Sequence, residues 1–484
     1  MDRTQKKERM IEAAVLIGLF AVLFVWGMVQ PIEKQPDERC RYVVPYYIMM
    51  HGKLPNGTVR ELVMSTYGIS YAFFPGLPYL VMALFMKIAS FFTESSYVLL
   101  MSARVVNMLA GVVTCLFAVK TGRKLFSDKL TGWFFALTAV FWPQVLFIFT
   151  YVNCDAFAYL SCAIMVYALV SGLQEGWSVK NYVTLAVGVS ICALSYYNAY
   201  GMILGSVIVF VFPFFYQKQQ KSEQVVSLDC PGERKKGKIG FRFKDCMRTG
   251  FTIVGIVLVL AGWWFIRNAF LYDGDFLGFE ANRRSAEVYA IDTYKPSMKV
   301  TLQNSGNPVW CLLVNADFRF LLKQSFFARF GNMDLLAPNY IIRGFKLILF
   351  VGVLGLLLKN RQKAFTGMKR AGFALGMFVA AATAFVLTYW YSYASDYQPQ
   401  GRYMLPGLIP LLCLVFTGIQ NITGLLRRIS VGKYPVGSYV VRILYAGCFA
   451  YLAVSSIGCV RLVWHQYYPQ FQETLHMVFL GGPI

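Results

Sequence analysis

The chain runs to 484 residues, of which 57% are hydrophobic and only 14% charged, with 41 Phe and 30 Tyr. That balance excludes the two or three soluble domains its length would suggest: apolar runs of roughly 20 residues, enough to cross about 30 Å of hydrocarbon, recur from end to end. The net charge of +22 does not mark a nucleic-acid binder, because most of the excess falls in alternate connecting segments. This is the positive-inside signature of a polytopic membrane protein with a cytoplasmic N-terminus.

In chain order, the first apolar run, Met10 to Gln30, is too long and too bulky at its end for a cleaved signal peptide and reads as a retained anchor. Further spans are predicted at about 100–119, 131–150, 156–173, 181–197, 199–216, 249–267, 340–358, 371–394, 404–425 and 440–460. The expected fold class is therefore an all-α integral membrane bundle of about eleven spans. Three segments interrupt it. The outer stretch 31–99 holds "YVVPYYIMMHGKL" and "PGLPYLVMALFMKIASFF", apolar but short and Pro-broken, which suits interfacial helices. Residues 217–248, with "ERKKGKIGFRFK", read as a basic cytoplasmic linker on anionic headgroups. Residues 267–339, aromatic and mixed in charge, read as an ordered outer loop with short helices. The linker divides an N-terminal transmembrane module (1–216) from a C-terminal one (249–484).

The 11 cysteines include no CxxC pair. Cys40, Cys154 and Cys311 fall in outer segments, where a disulfide is open. His51, His465 and His476 are too scattered for a zinc site, and neither a P-loop nor a GxGxxG is present, so ATP hydrolysis and nicotinamide chemistry have no support.

Polar residues at the rim of apolar helices are costly unless paired or used, and four such places fall on the predicted outer side. Asp37 and Glu38, in "QPDERCRY" after the first span, could supply a general base and its support, or simply open a solvated loop with a local Asp–Arg pair. Asp155, in "FTYVNCDAFAYL", could face the first carboxylates or cap the helix it opens. Arg267, in "WWFIRNAFLYDGD", could meet an anionic group or snorkel to the interface. Arg402, in "YSYASDYQPQGRYMLP", is the sole cation of its loop, and the positive-inside rule gives it no role; Arg329, in "FFARFGN", is a companion of the same kind. Two acidic sites and several arginines on one rim suit the splitting of a lipid-anchored phosphate ester at the membrane surface.

With these motifs the chain resembles the GT-C membrane glycosyltransferases, which use polyprenyl-phosphate-linked sugars, and within them a bacterial branch that carries "PDE" after the first span and "GRY-x-x-P" before a late one. Here these read "QPDERCRYVVPYY" and "QGRYMLP", and "SARVVNMLAG" and "NCDAFAYL" fit the same layout. The resemblance covers the whole chain on short motifs. It implies Asp37 as general base for in-line attack with inversion, Glu38 and Asp155 as supporting carboxylates, and Asp37 and Asp155 as ligands of a divalent cation, Mg or Mn. It implies Arg402, Arg267, Arg41 and Arg329 as contacts of the donor phosphate, and Tyr42, Asn153 and Tyr403 as substrate-binding residues. The partners implied are a polyprenyl-phosphate-linked sugar donor, membrane lipids and an extracytoplasmic glycan, lipid or protein acceptor, with no nucleic acid. The chain departs from the branch in having Arg41 where a His commonly follows the acidic pair, and "SYYNAYG" where a Lys or Arg is frequent. The rival readings are a flippase of a lipid-linked glycan, using the same cavity without a base, and a non-catalytic envelope-polymer assembly protein.

Overall fold

The structure is a computed structural model that describes residues 3–217, 239–358 and 364–480. Its helices in chain order are α1 (Arg3–Val29), α2 (Glu38–His51), α3 (Leu77–Ser90), α4 (Ser96–Leu125), α5 (Lys129–Val140), α6 (Pro143–Ile148), α7 (Asp155–Glu175), α8 (Val179–Ala193) and α9 (Tyr200–Val211). After the linker come α10 (Phe243–Leu271), α11 (Phe279–Tyr289), α12 (Cys311–Val314), α13 (Ala316–Phe327), α14 (Asn339–Leu356), α15 (Gly367–Ala394), α16 (Leu408–Leu426) and α17 (Val436–Leu480). Apolar runs take this form because hydrocarbon offers no partner for a backbone N–H or C=O, so each must be satisfied within its segment. Strand is confined, among the described residues, to two short antiparallel pairings: Phe215–Gln217 with Ile239–Phe241, and Arg329–Phe330 with Leu335–Leu336.

Nine helices among the described residues are long and apolar enough to cross a membrane, against the eleven spans expected. The two that differ are instructive. The run 131–150 is divided into α5 and α6 at Pro143, which supplies no amide hydrogen and keeps the preceding Trp142 extended (φ −61°, ψ 123°). The run 181–197 stops at α8, fifteen residues long, before an extended Tyr196. In the first outer segment the two expected short helices are α2 and α3, fourteen residues each. The segment 267–339 carries α11, α12 and α13. Of the basic linker, residues 218–238 lie outside the described residues.

The helix α7 lies at the centre, 94% of its apolar window being buried. It packs against α4, α8 and α9, while α10 closes on α8 through Ala193, Leu194, Ala261 and Trp264. Across the linker, α9 lies against α15 with Gly205 facing the Gly376 carbonyl, where an added methyl would collide with backbone; small residues of this kind let membrane helices approach closely. At one end of the bundle, the C-terminus of α1, the start of α2, the turn before α7, the turn before α9 and the turn before α16 converge.

Candidate functional site

The convergence begins with a tight reversal after α1. Asp37 adopts the left-handed conformation (φ 57°, ψ 14°) at the N-cap of α2, its side chain making no capping bond. Asp is one of the few non-glycine residues that visit this region readily. Its carboxylate is 36% exposed and lies 3.7 Å from Arg402 Nη2, an ion pair longer than a hydrogen bond. The Arg39 guanidinium turns away to Glu33 on the exposed face of α2, so the local Asp–Arg pair does not form.

One residue after Asp37 the direction reverses. Glu38 is fully buried and held bidentately by Arg104, Nε to Oε1 at 2.8 Å and Nη2 to Oε2 at 2.6 Å, with Oε1 also accepting the Val152 N–H at 2.8 Å. Arg104 Nη1 donates in addition to the carbonyls of Gly27 and Gln30 at 2.7 Å each. This pair fastens α2 and the end of α1 to α4. Its oxygens are occupied by protein, so the support expected of Glu38 would act from behind Asp37, and Glu38 has no oxygen left for a metal.

Arg41 lies one turn along α2, on the inward face. Its guanidinium is 1% exposed, 4.4 Å from the centre of the Tyr71 ring and 5.7 Å from that of Tyr196, yet Nε and Nη1 have no hydrogen-bond partner. Burial pushes the Tyr71 phenol well above its ordinary range against the pull of Arg41, so this ring stays neutral and offers the cation a face rather than a countercharge. Arg402 comes from the turn before α16. It donates from Nη1 to the Tyr151 hydroxyl at 3.0 Å and from Nη2 to that of Tyr403 at 3.2 Å, while its Nε is buried and partnerless. Gly401 is required just before it because any side chain would run into the backbone of α13 at Leu322 and Phe326.

Asp155 completes the group. It opens α7 but does not cap it: Cys154 holds the N-cap position, and the Ala156 N–H is taken by Asn153 Oδ1. Both Asp155 carboxylate oxygens are buried without a hydrogen-bond partner, and the residue lies within electrostatic reach of Arg41 and Arg402 alike. The described site thus holds two carboxylates, two guanidiniums and a wall of tyrosines, with unpartnered donors and acceptors together in a buried place. Such groups each cost on the order of 1–3 kcal/mol unless something meets them, which makes this place the candidate site.

The other expected residues fall elsewhere. Arg267 donates to the Pro55 carbonyl at 2.6 Å and stacks on Trp264. Arg329 bonds the Met333 carbonyl through Nε, and its backbone N–H goes to Gln144. Neither joins Arg41 and Arg402; each is bonded to a backbone carbonyl instead. Asn153 is buried with its amide committed to the Ile148 and Tyr151 carbonyls and its oxygen to Ala156, so it shapes the turn. Tyr42 sits half-buried against Tyr46, on the Glu38–Arg104 side. Tyr403 lies beside Arg402 and links it to Gln398. Cys40, Cys154 and Cys311 are free. Sequence reasoning missed Arg104, although an arginine well inside an apolar run is costly unless paired, and it missed Tyr71 and Tyr196, which nothing in their spacing distinguishes.

No group of three or more His, Cys, Asp or Glu converges among the described residues. The partnerless oxygens of Asp155 nevertheless suit a hard cation, which characteristically takes one or two carboxylates and completes its shell with water and substrate phosphate.

The fold is similar to that of solved membrane transferases. The chain resembles ArnT from Cupriavidus metallidurans bound to undecaprenyl phosphate, with a TM-score of 0.54 and 13% identity, over 96% of this chain and 78% of that one. It resembles the Archaeoglobus fulgidus oligosaccharyltransferase in its apo form (TM-score 0.53, 14% identity) over 93% of this chain and 56% of the other. The same enzyme tethered with an acceptor peptide containing the NVT sequon gives a TM-score of 0.51 at 12% identity, over 93% and 55%. The chain therefore spans little more than half the length of that oligosaccharyltransferase. Residues 60–412 match the family described as "Predicted membrane protein (DUF2142)", and the chain belongs to that family. No curated protein matches it.

Proposed function

We propose that this protein is a membrane glycosyltransferase that moves a sugar from a polyprenyl-phosphate donor to a hydroxyl of an extracytoplasmic glycan, lipid or protein, with inversion. The observation that carries the reading is the pair of buried guanidiniums, Arg41 and Arg402, which offer unpartnered N–H donors beside Asp37 and Asp155. ArnT, of the same fold, has been seen with undecaprenyl phosphate bound. The basic excess of the other connecting segments supports an extracytoplasmic site.

In this reading the donor phosphate lies between the two guanidiniums and the acceptor hydroxyl approaches from the exposed side of Asp37. Asp37 takes the hydroxyl proton as the acceptor oxygen bonds to the anomeric carbon. The carbon–oxygen bond to phosphate breaks, and its electron pair leaves on the phosphate oxygen as polyprenyl phosphate. The extra negative charge develops against Arg41 and Arg402, preorganised in a site that excludes water, where such donors are worth about 10²–10³ in rate. A divalent cation held by Asp155 would add further charge neutralisation at that phosphate. Asp37, already against Arg402 and needed as a base, is left out of its ligand set.

The test is transfer of radiolabelled sugar from a panel of polyprenyl-phosphate sugars by purified protein. Arg41→Ala and Arg402→Ala are expected to lower kcat about 10²–10³-fold. Arg267→Ala and Arg329→Ala should stay within about threefold per folded molecule, since removing a contact remote from the reacting atoms leaves the transition state untouched. Equal losses at all four would overturn the assignment of the two buried arginines. Chelation with EDTA is expected to slow transfer at least about tenfold, with Mg or Mn restoring it, the scale on which a bound cation stabilises developing phosphate charge. In Asp155→Asn neither EDTA nor added metal should change the residual rate. If a donor binds but no variant and not even wild type consumes it with acceptors present, the flippase reading takes precedence.

A further inference from the structure

The two carboxylates come from segments more than a hundred residues apart, and both are anchored to one turn of α4. Arg104 holds Glu38, the residue after Asp37. Asn107, three residues on and therefore on the same helix face, is fully buried and donates from Nδ2 to the Tyr151 carbonyl at 2.7 Å and the Asn153 carbonyl at 3.1 Å. Those carbonyls belong to the turn that ends in Asp155. Asn153 tightens the same turn from inside, through its bonds to Ile148, Tyr151 and Ala156. The Val152 N–H, between the two carbonyls that Asn107 holds, closes onto Glu38 at 2.8 Å. The result is a closed circuit running from α2 through Glu38, Arg104, α4, Asn107 and the 151–153 backbone, and directly back to Glu38.

We infer that Asn107 is a positioning residue that sets Asp155 relative to Asp37, with α4 as the common reference for both; this rests on the glycosyltransferase reading above. Asn107 touches no reacting atom. Its effect passes through the turn, which also carries Tyr151, the acceptor for Arg402. A helix held by the surrounding bundle is a stiffer reference than a loop, and reacting groups must stay within about 0.5 Å of their productive geometry. Without the two Nδ2 bonds the carbonyls of Tyr151 and Asn153 lose a buried donor and the turn is free to relax, carrying Asp155 with it.

The experiment compares Asn107→Leu, which keeps the volume and removes both donors, with Thr114→Val. Thr114 is equally buried on α4, two turns away, and bonds only the Ala110 carbonyl of its own helix. For Asn107→Leu the expected result is a fall of about 100-fold in kcat per folded molecule, the scale of a 1 Å misplacement. The donor KM should stay within about fivefold, because Tyr71 and Tyr196 hold Arg41 independently of the turn and Arg402 keeps its bond to Tyr403. Amide exchange over 151–156 should rise in the same variant. Thr114→Val should change neither. A merely structural role would lower the folded fraction and leave the kcat of folded molecules intact, and that result would overturn the inference. If wild type transfers no sugar from any donor of the panel, the glycosyltransferase reading fails. The positioning claim then falls with it, whereas wild-type transfer with an unchanged kcat in Asn107→Leu overturns the positioning claim alone.

Discussion

Asp37→Asn is expected to lower sugar transfer by about 10³-fold, the middle to upper range of what a positioned general base contributes, while donor binding and thermal stability stay close to wild type. The substitution isolates the chemistry unusually well. Asn is nearly isosteric with Asp and tolerates the left-handed conformation that residue 37 adopts, so the entry into α2 is kept. The ion pair it removes spans 3.7 Å and is open to solvent on one side, so little stability goes with it. Arg41 and Arg402 keep their places, and with them the contacts proposed for the donor phosphate. The loss should therefore appear in kcat, measured at saturating donor, and a variant that retains more than about a tenth of wild-type turnover would remove Asp37 from the base role. Asp37→Ala is the less informative change, because it adds backbone strain of about 1 kcal/mol or more to the chemical loss.

The second large effect concerns folding. Arg104→Met should destabilise the protein by about 3–5 kcal/mol, because it leaves the Glu38 carboxyl buried without its guanidinium partner. The double variant Arg104→Met, Glu38→Gln should recover more than half of that loss. A neutral amide no longer needs the guanidinium, and its oxygen can still accept the Val152 N–H. Activity should not recover with stability, since the bonds from Arg104 to Gly27 and Gln30 that tie α1 to α4 are gone in both variants. Unfolding in mixed micelles, measured on the two single variants and the double as a cycle, gives the coupling energy directly. If the single costs under about 1 kcal/mol, or the double is no more stable than the single, the pair is not the clamp described here.

Taken together, the two predictions separate residues that adjoin in sequence. Asp37 and Glu38 read as one acidic pair, as do Arg39 and Arg41 as one basic pair, yet each pair splits into opposite fates. Successive helical residues point about 100° apart, so Glu38 and Arg41 turn into the bundle while Arg39 meets solvent. Which phase α2 takes is set by what it packs against, here Arg104 on one side and Tyr71 and Tyr196 on another. None of these is near it in the chain.

Sequence alone determined the membrane class, nine of the long spans and the existence of two short helices in the first outer segment. It also picked out Asp37, Asp155 and Arg402 as polar residues at helix rims. The reason is physical: hydrocarbon demands about twenty apolar residues and internally satisfied backbone, and it tolerates a charge only for cause. These constraints act locally, so they are written locally. The break at Pro143 was equally local and could have been weighed. What only the tertiary structure decided is which charges meet. Arg41 and Arg402 stand more than 350 residues apart yet both lie within electrostatic reach of Asp155, whereas Arg267 and Arg329, alike in sequence context, bond to the backbone carbonyls of Pro55 and Met333 instead. Glu38 became a strut because Arg104 reached it from another helix, and Asp155 kept its oxygens free because Asn153 had already taken the helix end. Pairing of buried charges depends on distances between elements, and those are fixed by the packing of the whole bundle rather than by any stretch of it.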